Sequence, residues 1–239
     1  MQIYWTTIED IIEETPQVKT YLLKVPEGFT WEEGAHTHFA LEGFNAGEKP
    51  NRSLIRHMSI STLPNENYIG ITTRIKEQCS EFKSILRDME RGEKVAIFKT
   101  SSNVPFQRHI PNVYLLSSGV GLATFRPLIL QYLEDQTGIE KLYSLNVDST
   151  KDYLYPNVFE SVEGHHQLIS EFVDNRADYY ERVKQLAEDR DGLFYIVGSD
   201  QFLEQNIEIL RAAGIKPEQM MLDKHPHQRE AFFTQEEMA

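Results

Sequence analysis

Apolar positions along the chain change their period near residues 110–112. Before that point they come in short runs mixed with polar residues, and turn formers close each run. Val18–Val25, Thr37–Leu41, Arg56–Ser61, Tyr68–Ile75 and Lys94–Phe98 read as strands. Gly28, Gly34, Gly43 with Asn45, Pro64 with Asn65, and Gly92 supply the breaks between them. Short strands at this spacing predict an antiparallel barrel or sandwich. One helix interrupts them. Ser80 is its N-cap, Phe82, Ile85, Leu86 and Met89 form its apolar face, and Gly92 lies past its end.

After Pro111 strand and helix alternate. Val113–Ser117, Lys141–Val147, Gln167–Phe172, Leu193–Val197 and Met220–Leu222 read as strands. Between them run helical faces: Phe125, Leu128, Ile129 and Tyr132; then Tyr179, Val183 and Leu186; then Leu203, Ile207 and Leu210, with Asp200 as cap and Gly214 as stop. Repeated βα units predict a parallel sheet with ligands at the C-terminal ends of its strands. The expectation is a two-domain chain: an antiparallel β-barrel over residues 1–110, an α/β domain over 111–225, and a tail over 226–239 that is polar and mobile except around Phe232 and Phe233.

Composition narrows the function. The chain has 239 residues, enough for two ordinary domains, and a net charge of −13. That charge argues against nucleic acid as a partner, because phosphate binding needs a basic surface. A single cysteine, Cys79, excludes both an internal disulfide and an iron–sulfur cluster held by this chain alone. The N-terminus has no signal-peptide pattern and no apolar run is long enough to span a bilayer, so a cytoplasmic location is expected. His165-His166 and His225-Pro226-His227 lack the helical spacing of a zinc pair.

Three segments carry candidate chemistry. In LLSSGVGLATF, Leu115–Phe125, a strand runs into Gly119 and Gly121 and then a helix, a turn that lets backbone amides approach a pyrophosphate. In FYIVGSDQF, Phe194–Phe202, a second strand ends at Gly198, and Ser199 and Asp200 open the next helix. In the first half, Arg56, Ser59 and the amides beside Ser80 are suited to a flavin dinucleotide: a cation and a helix start for the diphosphate, a hydroxyl for the ring. On composition alone, each reads first as an exposed arginine, a strand serine and a helix cap.

Taken in order, these segments resemble the ferredoxin–NADP reductase superfamily from about Ile3 to Leu222. Arg56-His57-Met58-Ser59 is similar to the family's Arg-x-Tyr-Ser segment, and Ile71–Ile75 (ITTRI) to its next flavin-lining strand. Ser80–Ile97 resembles the family's diphosphate-binding helix start, Gly119–Arg126 its Gly-Thr-Gly-Ile-Ala-Pro-Phe-Arg run, and Phe194–Ser199 its Tyr-x-Cys-Gly-Pro segment. The resemblance implies FAD contacts at Arg56, His57, Met58, Ser59, Thr72, Thr73 and Ser80, with Ser59 in the catalytic position. It implies nucleotide contacts at Gly119, Gly121, Leu122, Thr124, Asn146, Gly198 and Ser199.

The implied activity is an NAD(P)H-dependent flavoprotein reductase that passes electrons to a further acceptor, with an electron carrier such as ferredoxin or flavodoxin as partner. An FAD-binding electron-transfer or regulatory subunit, weakly active alone, is the alternative; a nucleotide-binding module without turnover is a third. Four departures bear on the choice. Met58 stands for the family tyrosine, Val197 for the cysteine, and Thr124 and Ser199 for prolines. Phe232 or Phe233 is the candidate for the family's C-terminal ring shield. NADH is expected over NADPH, because Asn146, Val147 and Asp148 stand where an arginine would meet a 2′-phosphate, with Lys151 the nearest cation. Residues 74–108 hold eight basic and five acidic side chains, a region suited to steering an acidic carrier.

Overall fold

The computed structural model describes residues 2–160 and 166–234, so His165 lies outside the described residues. The chain divides into two compact units, Met1–Pro105 and Phe106–Ala239.

The first unit is built on β1 (Ile3–Thr15), β2 (Val18–Lys24), β3 (Ala35–Leu41), β4 (Ile55–Ser59), β5 (Tyr68–Arg74) and β6 (Lys94–Ser102). They form one antiparallel sheet in the order β4-β3-β6-β1-β2-β5. The sheet curls until its edge strands meet at an Ile60–Ile71 bridge, beside which Ser61 N–H donates to the Gly70 carbonyl at 2.8 Å. β1 is absent from the strands read out of the hydrophobic pattern. It pairs with β6 through Ile3–Thr7 and with β2 from Ile8 onward, and its register shifts at Ile8/Asp10 and Glu13/Thr15. A strand that changes partner and slips register loses the strict alternation that would reveal it.

Tyr21, Leu23, Phe39, Ile69, Ile71 and Ile97 fill the inside of the curl. The helix α1 (Glu81–Asp88) closes it with Phe82 and Leu86. The Tyr21 hydroxyl donates to the Leu86 carbonyl at 2.8 Å, pinning the end of α1, and burial pushes its pKa above the ordinary range, with Asp88 adding to the rise. Ile85, expected on the buried face, is exposed. The helix stops at Asp88, with Met89 already extended, so two turns bury only Phe82 and Leu86.

The second unit is a five-stranded parallel sheet: β7 (Asn112–Ser118), β8 (Lys141–Val147), β9 (Leu168–Val173), β10 (Leu193–Val197) and β11 (Met220–Leu222), in the order β11-β10-β7-β8-β9. Its helices are α2 (Leu122–Glu134), α3 (Pro156–Glu160), α4 (Arg176–Leu186), α5 (Asp200–Ala212) and α6 (Pro226–Thr234). β8 and β9 lie on one side of β7, and β10 and β11 on the other. The order therefore reverses between β7 and β10, and such a switch opens a crevice at the C-terminal strand ends. The cap of α5 is Ser199, not Asp200: its side chain accepts from Phe202 N–H at 3.3 Å.

Of the tail segment, Pro226–Thr234 form α6. Phe232 and Phe233 pack against the core of the second unit, and the cations Lys224 and Arg229 lie over their rings. Two adjacent aromatics in a polar stretch are the sequence signal for this docking. Among the described residues no helix is long and apolar enough to cross a membrane.

Candidate functional site

In the first unit, the candidate residues on β4 point two ways. Successive side chains of a strand face opposite sides. Met58 turns inward and packs against the barrel core, and Arg56 lies on that same side, its guanidinium 5.0 Å from the Phe82 ring. His57 and Ser59 face the other way; His57 packs against His36 with ring centroids 3.9 Å apart and the ring planes tilted by 50°. The Nη1 of Arg56 donates to the backbone carbonyls of Ile55 at 2.7 Å and Ser53 at 3.1 Å, which aims the guanidinium toward the start of α1.

Four cations gather there. Lys83 donates to the Arg74 carbonyl at 2.6 Å. Burial holds the Lys83 ammonium below its ordinary pKa, and Arg56, Arg74 and Lys76 add to the fall, against an opposing pull from Cys79. Ser80 caps the same helix end, accepting from Lys83 N–H at 3.5 Å. A cluster of cations at the positive end of a helix is the arrangement a diphosphate needs. The residues present thus fit the phosphates of a flavin dinucleotide. Arg74, Lys76 and Lys83 are not among the site residues read from the sequence; Arg74 is the fourth residue of the ITTRI stretch and was legible as such.

The two threonines of β5 differ. Thr72 sits in a buried hydroxyl ladder, 2.7 Å from the Thr20 hydroxyl and 2.9 Å from that of Ser61. Thr73, next along the strand, points to the opposite face and is also buried.

In the second unit the glycine turn closes on itself. Gly119 has φ +55°, a left-handed conformation that a Cβ disfavours. A Cβ on Gly121 would stand 2.8 Å from the Val197 carbonyl oxygen, so the glycine lets the start of α2 press against the end of β10. Leu122 and Thr124, the next candidates, are buried in the first turn of α2. Gly198 and Ser199 follow β10, so both turns flank the crevice between β7 and β10.

Asn146, expected at the nucleotide, has partners within the chain. It is buried at the end of β8 and donates from Nδ2 to the Ser117 hydroxyl at 2.8 Å and the Gly119 carbonyl at 3.2 Å. Its chemistry is to hold the turn. Asp148 is likewise buried and accepts from the Thr150 N–H and hydroxyl at 3.0 and 2.8 Å, which closes its own loop. Lys151 pairs with Asp174 at 2.6 Å, and this pair raises the lysine pKa and lowers that of the aspartate. A cation reaching the turn is Arg176, which opens α4. It donates to the Ser118 hydroxyl at 3.3 Å and to the Tyr180 hydroxyl at 3.0 Å, and lies 5.0 Å from the Phe202 ring. No sequence spacing pointed to Arg176, because β9 brings it back from far along the chain.

No family model matches the sequence, and no curated protein sequence matches it. Solved structures do. A ferredoxin–NADP reductase from Neisseria gonorrhoeae, crystallised with FAD and NADP, superposes with a TM-score of 0.78 at 14% identity, over 93% of this chain and 98% of that one. The CS-b5R domains of human Ncb5or in the NAD⁺ form give 0.74 at 17%, over 93% and 70%. A ferredoxin–NADP reductase from Plasmodium falciparum with 2′P-AMP gives 0.72 at 13%, over 88% and 93%. The chain has the fold of the ferredoxin–NADP reductases. In that reductase fold an antiparallel, curled sheet is followed by a parallel sheet with helices, the order of the two units described above. At these identities the fold is what is shared; residue roles rest on this chain's own geometry.

Proposed function

We propose that the chain is a cytoplasmic flavoprotein reductase that binds FAD, oxidises a reduced nicotinamide nucleotide and passes the electrons to an acceptor. The observation that carries this reading is the meeting of Arg56 and Lys83 at the capped start of α1, with Arg74 and Lys76 on the adjoining segment. Four cations suit a diphosphate better than the single phosphate of FMN. When bound, the flavin would supply the hydride and electron chemistry. The chain supplies the rest. Arg56, Arg74, Lys76 and Lys83 bind the diphosphate, and the α1 amides behind Ser80 complete its shell. Ser59 offers a hydroxyl to the flavin ring. The turns at Gly119–Gly121 and Gly198–Ser199 receive the nicotinamide nucleotide, with Asn146 keeping the first turn in shape and Arg176 beside it.

NADH is the proposed donor, since Lys151 is engaged by Asp174 and Arg176 by Ser118, Tyr180 and Phe202. An acidic electron carrier is a proposed partner, steered by the basic stretch 74–108. Flavin extraction and chromatography test the first step, and anaerobic bleaching of the bound flavin by NADH tests the second. FMN as the sole flavin, or a protein that takes up no flavin, would overturn the reading.

A further inference from the structure

The outer face of β3, β4 and β6 carries a groove of about 790 Å³, which is within the range of small-molecule sites. Its floor is aromatic and aliphatic. Phe44 and Phe98 stack with centroids 5.5 Å apart and Ile55 lies beside them. Its rim is basic: Lys49, Arg52 and Lys99, with His38 and His57 between. No carboxylate lines it, although the protein carries a net charge of −13. Among the described residues none of the three rim cations forms an ion pair. Some other surface cations are paired, as in Lys151–Asp174, Arg91–Asp10 and Lys224–Asp200, whereas Lys94 and Lys216 form no ion pair among the described residues.

The backbone supports the same conclusion independently. Opposite His36 and His38, β6 holds one residue more than β3, so the register shifts there. Lys99 occupies that bulge with φ +53°, a conformation unfavourable for a side-chain-bearing residue. The bulge is held by the Thr37 hydroxyl donating to the Phe98 carbonyl at 3.1 Å and the Thr100 hydroxyl to that of Thr37 at 3.0 Å. Bulges of this kind re-aim a side chain, here onto the rim of the groove.

The groove is separate from the diphosphate cluster, because His57 and Ile55 face away from Arg56 on β4. Ser59, two residues along from His57, lies on the same face of β4 and pairs in register with His36. We propose that the groove binds a small planar organic anion and that such an anion is an electron acceptor of this protein. The acceptor part rests on the reductase reading; the binding part does not. With a quinonoid acid the reaction balances. The hydride of NADH and one proton from solvent become two electrons and two protons on the quinone oxygens, leaving hydroquinone and NAD⁺.

The test uses the full chain, as wild type and as Arg52→Met with Lys99→Met. Calorimetry with 2-naphthoate and the neutral 2-naphthamide reads binding without turnover. The naphthoate should bind at least tenfold more tightly than the amide, and the variant should lose that advantage. In NADH oxidation with anthraquinone-2-sulfonate, the variant should raise the acceptor KM at least fivefold at unchanged flavin content. Equal binding of naphthoate and amide, or a variant that binds like wild type, would overturn the anion site. Charge-selective binding with an unchanged quinone KM would overturn the acceptor role alone. Absence of any NADH-dependent turnover would sink the reductase reading and with it the acceptor role, while the binding data still stand. If naphthoate fails to bind and the variant instead weakens association with an acidic flavodoxin, the groove belongs to a protein partner and the proposal is wrong.

Discussion

Among single residues, charge and hydroxyl have different tasks on one strand. Arg56 aims at the start of α1 and Ser59 lies on the opposite side of β4. Arg56→Ala should lower flavin occupancy by roughly 10- to 150-fold in Kd, the loss of one charge-assisted phosphate contact of about 1.5–3 kcal/mol. Ser59→Ala should keep the flavin and slow its reduction by NADH in stopped flow. The reverse pattern would show that the two roles are exchanged. Nucleotide choice also turns on individual side chains. With Lys151 and Arg176 both engaged, a 2′-phosphate must displace an existing contact, so kcat/KM should favour NADH by about 5- to 150-fold. Equal or better use of NADPH would sink this, and loss of that activity in Arg176→Ala would identify the cation responsible. Asp148 is buried and accepts from Thr150, so its loop holds the carboxylate in place beside this region.

For the secondary-structure elements, the nucleotide turn depends on how closely α2 approaches β10. Gly121→Ala would bring a Cβ to 2.8 Å from a backbone oxygen, which has no rotamer with which to yield. Overpacking of this kind destabilises by about 1–3 kcal/mol. The variant should melt earlier and show a raised KM for NADH, with flavin content unchanged; an unaltered KM would separate the turn from nucleotide binding. Strands that form short runs closed by turn formers, β2, β3 and β5, were legible in the sequence, as were β7, β8 and β10 from their apolar runs. β1 was not, because half of it serves each of two partners. α6 was not, because its apolar contribution comes from only two neighbouring rings.

Over the molecule as a whole, net charge and local charge act in opposite senses. A basic stretch on an acidic protein raises the encounter rate with an acidic carrier, and salt weakens that effect. Arg87→Glu with Arg91→Glu should lower carrier reduction at low salt and flatten its salt dependence. The expected change is modest, because Arg87 lies 3.3 Å from Asp88 and Arg91 pairs with Asp10, and exposed pairs of this kind hold little energy but do cancel charge. Rates that are unchanged at every salt concentration would remove these two arginines from the encounter surface.

Hydrophobic period, turn formers and caps act within a few residues. For that reason the two textures of the chain, most of its strands and helices, the two glycine turns and the Arg56–Ser59 segment can be read from the amino acids alone. Which distant groups meet is settled only when the sheets form. Arg74, Lys76 and Lys83 join Arg56 because β5 and the start of α1 lie next to β4 in space. Asn146 and Asp148 are drawn inward because buried amide and carboxylate groups must find partners, and Ser117, Gly119 and Thr150 provide them. Arg176 reaches Ser118 because parallel strands bring residues 58 positions apart to one edge of the sheet. Side-chain direction on a strand follows from parity, but the partner it meets follows from pairing, and pairing is a property of the folded sheet.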